Sequence, residues 1–318
     1  MSTGLVTLAT VMVLLGADFW ACTSSRPTTS NPTPTSPFWL EDRRPPSPPP
    51  GRIRALMAQG RRALSRGDYA TAAQAFESAR RRAPEIVAVD TEWAMALRAL
   101  GRPGAALDRL VAPMSSPQPW TRLRARLVRI NALMDLGDVA AAWRESSGVV
   151  TEYPDLLDGH YALARALVAS GKRVQALEAF DTVRRHAPNH VGAHIGALAA
   201  LSTNPAGVDY RTLERQILHR WPRHPDVHVI RGIARELMGQ HDDAIAAFRE
   251  ALSLDARHPT ANFNLARLLE DRQGLDAAKP YYLRFVESAS GPRRAQADRL
   301  RKRLRNYTSP GGKPGPKD

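Results

Sequence analysis

The sequence predicts an all-α repeat protein in which about seven helix-turn-helix units stack side by side. The evidence is a motif, Gly-Asp-Tyr-Ala-Thr-Ala-Ala-Gln-Ala-Phe at Gly67–Phe76, that returns along the chain. Further versions begin at Gly101, Gly137, Gly171 and Gly239, with a weaker one near Gly274. The aligned units start at Ile53, Val87, Leu123, Leu157, Val191, Pro225 and Pro259. Every step is 34 residues except one of 36, and such a period is typical of solenoids.

Each unit contains two helices separated by a glycine turn. In the first unit, helix A is predicted over Arg54–Ser65 and helix B over Ala70–Arg82, with Gly67 in the turn between them. Glycine suits the left-handed backbone that closes a helix. Pro84 ends helix B because proline lacks the N–H that the next helical turn needs.

Two positions of helix B indicate how the helices pack. The first carries a small residue, which lets the two helices of a unit approach closely: Ala72, Ala106, Ala142, Ala176, Ala244 and Ala278. Four residues later, on the same helical face, a large residue is expected to fill the gap to the next unit. It is Phe76, Leu110, Phe180, Phe248 or Tyr282. Regular glycine and proline also argue against a coiled coil, whose heptads they would interrupt.

Three units depart from the pattern. The second has Pro113 where a small helical residue is expected, and the third has Ser146 at the large position. The fifth lacks the glycine turn and instead has Asn-Pro-Ala-Gly at Asn204–Gly207. Its register rests on spacing and on Pro222, so we expect the superhelix to kink there.

These residues, with partial helix-A signatures at His160, Leu163 and Ala164 and at Asn262, Leu265 and Ala266, resemble the tetratricopeptide repeat family. The resemblance covers residues 53–292, about three quarters of the chain. It implies a right-handed superhelical solenoid whose inner groove, lined by the A helices, binds a protein or a peptide.

The resemblance also assigns groove positions within each A helix. Early and middle units place there Arg54, Arg61, Arg98, Arg124, Asn131, Asp158, Tyr161 and Arg165. The last two units place there Glu236, Phe263, Arg267, Glu270 and Asp271. Arginine forks bind carboxylates through two parallel hydrogen bonds, so the expected ligand is an acidic peptide or a chain terminus. The carboxylate clamp of chaperone-binding members is not reproduced, since Met57 and Met95 stand where it has Lys and Asn.

Positive charge is concentrated at the carboxyl end. The formal net charge is +14, and residues 293–318 hold nine Lys or Arg against two acids. A basic helix over 293–306 places Ala297, Leu300 and Leu304 on one side, as a helix that caps the last apolar surface of a solenoid requires. Residues 307–318, rich in Gly and Pro, predict a disordered tail. Nucleic acid is not an expected partner because no aromatic residue is interleaved with these arginines.

The first 52 residues resemble the leader of a bacterial lipoprotein. Residues 1–22 contain the apolar run Leu5–Gly16 and end at Cys22, the single cysteine, directly after the small residue Ala21. Residues 23–52, rich in Pro, Ser and Thr, predict an extended tether. We therefore expect lipidation at Cys22. An uncleaved anchor, an ordinary secretory signal and no signal at all stay open, because no Lys or Arg precedes the apolar run.

The sequence offers no catalytic motif. It has no Gly-rich phosphate loop, nucleophile elbow or paired-His helix. With one cysteine it can form neither an internal disulfide nor a thiolate metal site. The histidines are interpreted as polar residues of the junctions between repeats, so we expect no metal, no cofactor and no enzymatic activity.

The functional hypothesis is a scaffold anchored through Cys22 in the outer membrane and facing the periplasm, where it helps an envelope complex to assemble. The order of signal, cysteine, tether and repeats favours it, as does the Thr23 that follows the cysteine. The alternative is a cytoplasmic regulatory or targeting adaptor.

Overall fold

The computed structural model describes residues 51–202, 204, 206–289 and 293–307, and these ranges contain fifteen α-helices and no β-strand. The helices are α1 Gly51–Ser65, α2 Tyr69–Arg82, α3 Ala88–Ala99, α4 Pro103–Met114, α5 Pro119–Leu136, α6 Val139–Glu152, α7 Leu157–Ala169, α8 Arg173–His186, α9 Val191–Leu201, α10 Val208–Arg220, α11 Pro225–Leu237, α12 His241–Leu254, α13 Pro259–Gln273, α14 Leu275–Ser288 and α15 Arg294–Arg305. The predicted all-α repeat fold is confirmed.

The described chain forms two compact units, which meet in sequence between Gly192 and Ala193. The N-terminal unit comprises the described residues up to 192, and the C-terminal unit those from 193 onward. In each, odd-numbered helices α1 to α13 are the first helices of hairpins and even-numbered helices α2 to α14 are the second.

The turn of the first hairpin shows why the repeated residues are needed. Gly67 has a φ of 77°, in the left-handed region, and the other five motif glycines also have positive φ, between 73° and 87°. Asp68 then caps α2, its carboxylate accepting the N–H of Thr71 at 3.1 Å. Asp138 caps α6 in the same way through Ala141, at 3.0 Å.

The prolines end the second helices as predicted. The residue before each proline leaves the helical region because proline disfavours α geometry in its predecessor. Its φ is −139° at Ala83, −132° at Tyr153, −129° at Ala187 and −132° at Trp221. Pro113 differs, since it lies within α4 one residue before the helix ends.

The packing positions of the second helices are confirmed by burial. All six small alanines are fully buried, and so are Phe76, Phe180 and Phe248. In two hairpins, the residue of the first helix that faces the phenylalanine ring is a glycine. A Cβ at Gly60 or Gly232 would come within 2.6 Å of the ring of Phe76 or Phe248, respectively. In these hairpins the phenylalanine ring of the second helix therefore packs directly against the backbone of the first helix at the glycine.

Near the start of several first helices, a polar side chain is hydrogen-bonded to a carbonyl of the preceding loop. His160 is hydrogen-bonded to the carbonyl of Pro154 at 2.7 Å, and His228 to that of Pro222 at 2.8 Å. Asn262, at the same repeat position, donates to the carbonyl of Ala256 at 3.0 Å. The bonds satisfy loop carbonyls that no helix can satisfy.

The fifth hairpin, which lacks the glycine turn, is irregular. Its helices, α9 and α10, are separated by residues 202–207, whereas one to three residues separate the helices of the other hairpins. Tyr210 occupies the small position and Glu214 the large one, and both are buried. The Glu214 carboxylate accepts hydrogen bonds from the Tyr210 hydroxyl at 3.4 Å and from Arg235 of α11 at 3.3 Å. A polar pair thus replaces the alanine and large apolar residue found in most of the other hairpins.

The last helix packs through its apolar side. Ala297, Leu300 and Leu304 of α15 are buried, and Arg303 is hydrogen-bonded to Glu270 of α13. Within the ranges that the structure describes, no helix is long and apolar enough to cross a membrane.

Candidate functional site

In the N-terminal unit, neighbouring first helices are linked by ion pairs at the predicted groove positions. Glu92 of α3 lies between Arg61 of α1 and Arg124 of α5. Its Oε1 atom accepts hydrogen bonds from the Nη2 atoms of both, at 3.0 Å and 3.2 Å. The Glu92 side chain is 6% exposed, whereas those of Arg61 and Arg124 are 56% and 40% exposed. We call these three residues the arginine cluster; its formal charge is +1.

Deeper ion pairs and hydrogen bonds link the same series of helices toward their other ends. Arg98 of α3 donates to Asp135 of α5 at 3.1 Å, and Arg165 of α7 donates to Asn131 of α5 at 2.5 Å. Burial raises the pKa of Asp135 above its usual range, although the nearby Arg98 acts to lower it. Burial also lowers the pKa of Arg165. These contacts are buried connections between hairpins, in contrast to the exposed guanidinium groups of the arginine cluster.

A cavity of about 840 Å³ opens beside the arginine cluster. Its wall is formed by α1, the loop before α3, the end of α4 and the start of α5. Arg54 and Arg61 contribute the positive charge and Glu85 the one carboxylate of the lining. Apolar side chains complete it, among them Met57, Ile86 and Pro117. The volume lies within the range of about 300–1,000 Å³ that is usual for ligand pockets.

Tyr161, another predicted groove residue, lies in an aromatic contact on α7. Its ring centroid lies 6.0 Å from that of Phe180 and 4.7 Å from that of His190. The Arg165 guanidinium lies 5.8 Å from the same ring. Burial lowers the pKa of His190, so this histidine favours its neutral form.

In the C-terminal unit, the predicted groove residues also contact neighbouring helices. Arg267 of α13 is hydrogen-bonded to Glu236 of α11, and Phe263 packs against Tyr282 and Phe285 of α14 with centroids 6.1 Å and 5.1 Å apart. Burial acts to raise the pKa of Glu270, but hydrogen bonds from Arg303 and Tyr282 lower it overall. Glu270 is therefore held ionised by its neighbouring donors.

The structure places the predicted groove residues in three environments. Arg54 and Arg61 meet at the cavity, and Arg61 and Arg124 meet at Glu92. Arg165 is 6% exposed and so does not occupy the exposed position expected for it, because its guanidinium is hydrogen-bonded within the stack. Cys22 lies outside the described residues, together with the proposed signal, most of the tether and most of the tail.

Sequence reasoning missed Glu92 and Asp135, the acids that pair with groove arginines in the N-terminal unit. A usable signal was present for Glu92, because the same repeat position holds Ala58, Val128 and Ala162 in other units. A carboxylate at an otherwise apolar position indicates a buried partner of opposite charge. The histidines were also misjudged in part, since His228 and His258 are buried. Among the described residues, no group of three or more His, Cys, Asp or Glu side chains is arranged to hold a metal ion.

Comparison with known proteins identifies the repeats. A family model described as "Tetratricopeptide repeat" matches residues 57–115, 211–259 and 232–293, where the structure has the hairpins just described. The chain is a tetratricopeptide repeat protein. A second family model, described as "Bacterial transcriptional activator domain", matches residues 118–199 of this tetratricopeptide repeat protein. No curated protein matches the chain in sequence.

Solved structures agree with the tetratricopeptide repeat fold. A tetratricopeptide repeat protein from Parabacteroides merdae ATCC 43184 has a TM-score of 0.62 and 15% identity, over 80% of this chain and 99% of that one. A Rap protein complexed with Competence and Sporulation Factor has a TM-score of 0.57 and 11% identity, over 78% of this chain and 76% of that one. Yeast Tom70 has a TM-score of 0.50 and 14% identity, over 84% of this chain and 68% of that one. At these identities the likeness shows the fold alone.

Proposed function

We propose that this tetratricopeptide repeat protein is a scaffold that captures an acidic segment of another polypeptide on the face formed by α1, α3 and α5. The observation that carries the proposal is the arginine cluster beside an open cavity. Two exposed guanidinium groups are held in place by one buried carboxylate, so little conformational entropy is lost when they bind. Repeat proteins of this type generally act as non-catalytic scaffolds.

The hydrogen-bonding capacity of the cluster fits a carboxylate ligand. Each guanidinium has five N–H donors, and Arg124 gives one of them to Glu92. The remaining donors can bind both oxygens of an acidic side chain or of a chain terminus. The adjoining Met57 and Ile86 offer apolar contact to a neighbouring side chain of the ligand. The expected ligand is therefore a carboxylate flanked by an apolar residue.

Selection from a library of random displayed peptides on the immobilised full chain tests this function. We expect enrichment of peptides that combine acidic and apolar residues. The doubly charge-reversed variant Arg61→Glu with Arg124→Glu should lose those peptides. A matched control is Arg82→Glu, which reverses an exposed arginine at the end of α2 away from the cavity and should retain them. Enrichment without any acidic preference, or equal selection by both variants, would refute the proposal.

We also propose that the scaffold is a lipoprotein anchored through Cys22, with its repeats in the periplasm. The support is the order of an apolar run, Ala21-Cys22 and a Pro-rich tether. More than one acyl chain gives a stable anchor, at about 0.8 kcal/mol per buried methylene. Cells fed radiolabelled palmitate should label the wild-type protein and leave Cys22→Ser unlabelled. A wild-type protein that takes up no label and fractionates with the cytosol would rule out this anchor.

That last outcome would favour a cytoplasmic regulatory adaptor. The observation behind this second candidate is the match of residues 118–199, which span α5 to α8 and most of α9, to the bacterial transcriptional activator domain. In this case the same peptide-binding face would act on a cytoplasmic partner. The peptide selection described above applies unchanged, because it tests the face and not the compartment.

A further inference from the structure

The tether before α1 contains one segment with side chains suited to the cavity. It reads Phe38-Trp39-Leu40-Glu41-Asp42 and lies in a stretch that otherwise consists mainly of Pro, Ser, Thr and Arg. Three large apolar residues are followed directly by two carboxylates. This segment therefore has the combination of apolar and acidic groups that the cavity requires of a ligand.

The cavity lining offers apolar surface for the apolar residues of the segment and guanidinium groups for its acids. Met57, Ile86 and Pro117 provide apolar surface, while Arg54 and Arg61 provide guanidinium groups. Burial of apolar side chains stabilises the bound form by roughly 25 cal/mol per Å² of surface removed from water. The acids would add charge-assisted hydrogen bonds. Glu85, the carboxylate of the lining, offers a partner for Arg43 or Arg44, which follow the segment.

The connecting chain is long enough for the segment to reach the cavity. Eleven residue-to-residue steps connect Leu40 to Gly51, where α1 begins. In the extended conformation typical of proline-rich chains they span about 34 Å, at about 3.1 Å per residue. The cavity residues of α1 lie between Arg54 and Arg61, within about 15 Å of the start of the helix at 1.5 Å per residue. The segment can therefore fold back along α1 without stretching the tether.

We propose that the segment Phe38–Asp42 of the same chain occupies this cavity. The connection makes binding intramolecular, with an effective concentration of millimolar order, so that weak contacts suffice. An outside peptide must displace the segment to bind at the same place. Competition between the segment and an outside peptide rests on the proposed peptide-binding function. Occupancy of the cavity by the segment does not.

Site-specific photo-crosslinking in the full-length chain tests the occupancy. A photoreactive amino acid replaces Trp39, and crosslinked peptides are mapped by mass spectrometry. We expect crosslinks to the cavity-lining segments 54–61, 85–88 and 115–121. The matched control carries the same photoreactive residue at Thr29, in the same tether but outside the apolar and acidic segment. A yield at position 39 no higher than at position 29, or crosslinks spread over other helices, would overturn the proposal.

Substitutions within the segment test the role of charge without changing any residue of the folded repeats. Glu41→Arg with Asp42→Arg should lower the crosslink yield roughly fivefold, about 1 kcal/mol in binding. Adding Arg61→Glu to this variant should restore part of the crosslink yield, because the segment is then positive and the cavity carries a new negative charge. Equal yields in all variants would show that charge plays no part and would contradict the proposal.

Mixing isotopically labelled and unlabelled chains identifies which copy supplies the segment. Crosslinks within one chain support the proposal, and crosslinks that join a labelled to an unlabelled chain would replace it with exchange between copies. This result is independent of partner capture. The peptide selection is therefore repeated on the Glu41→Arg with Asp42→Arg variant, in which competition by the segment is weakened. Failure of that selection with intact wild-type crosslinking would refute the scaffold function alone, and successful selection without crosslinking would refute the internal ligand alone.

Discussion

At the residue scale, the arginine cluster depends on one carboxylate. Glu92 is buried and accepts hydrogen bonds from two arginines of neighbouring helices, so it both links hairpins and fixes the guanidinium groups. The sequence indicated the arginines, because their repeat positions are known from the family resemblance. The carboxylate of Glu92 at a largely apolar repeat position signalled a buried partner of opposite charge. It did not indicate which arginines pair with it, because the direction of a side chain and its neighbours on another helix depend on packing that no local pattern encodes.

Replacement of Glu92 by Ala should therefore destabilise the N-terminal unit. Two arginines lose a shared charged hydrogen-bond partner, and such bonds contribute about 1.5–3 kcal/mol when well buried. Because both arginines are substantially exposed, we expect a loss nearer about 1 kcal/mol. The midpoint of urea unfolding measures it. Glu77→Ala removes an exposed pair with Arg81 and should change stability by less than about 0.5 kcal/mol. Equal effects of the two substitutions would contradict the role given to Glu92.

A pH dependence of stability is expected from His224, whose side chain is 28% exposed. Burial lowers the pKa of His224 below its usual value of 6.5. The groups that face it are the Asp226 carboxylate, 3.7 Å away, which acts to raise the pKa, and His258 and His228, which act to lower it. His258 in turn is hydrogen-bonded to Asp226 at 2.8 Å.

Because the folded pKa of His224 is depressed, the unfolded chain binds the proton first. The stabilisation is complete above about pH 6.5 and is lost as the pH falls below that value. Unfolding midpoints measured between about pH 7.5 and pH 5 should fall more steeply in the wild type than in His224→Gln. Identical slopes would show that His224 titrates alike in both states.

At the element scale, the hairpin is determined by a few local residues. Gly67 supplies a positive φ, Pro84 ends α2 and Ala72 permits close packing, and each acts within one unit. For this reason the regular hairpins could be predicted from the sequence. The structure of the fifth hairpin could not be predicted in this way, because its longer connection and the Tyr210–Glu214 pair replace the local signals by tertiary contacts.

The close contact between paired helices gives a sharp test of the register. Gly232→Ala adds a methyl group where a Cβ would lie 2.6 Å from the buried ring of Phe248. We expect a destabilisation of about 1–3 kcal/mol, typical of overpacking, seen as a lower melting temperature by circular dichroism. Gly104→Ala is the matched control, because its Cβ would meet nothing within 4 Å. Alanine there should leave stability unchanged or raise it by up to about 1 kcal/mol. A reversed order of the two variants would contradict the packing.

At the scale of the whole molecule, a folded array of hairpins is combined with terminal segments of different character. The N-terminal 52 residues carry the proposed anchor, tether and internal ligand, and residues 293–318 carry half of the net positive charge. Composition and motif order predict this division, and most of its terminal parts lie outside the described residues. They did not predict the cavity, because its wall combines parts of α1, α4 and α5 with the loop before α3, which only folding brings together.

The most direct test of the central claim is the affinity of an acidic peptide from the selection for the full chain and its variants, measured by fluorescence anisotropy. Charge reversal at both Arg61 and Arg124 should weaken binding at least roughly tenfold, or about 1.4 kcal/mol, while Arg82→Glu leaves it unchanged. Raising the salt concentration from about 50 to 300 mM should weaken wild-type binding, since the contacts are partly exposed. Equal affinity of the wild type and the doubly reversed variant would contradict the account.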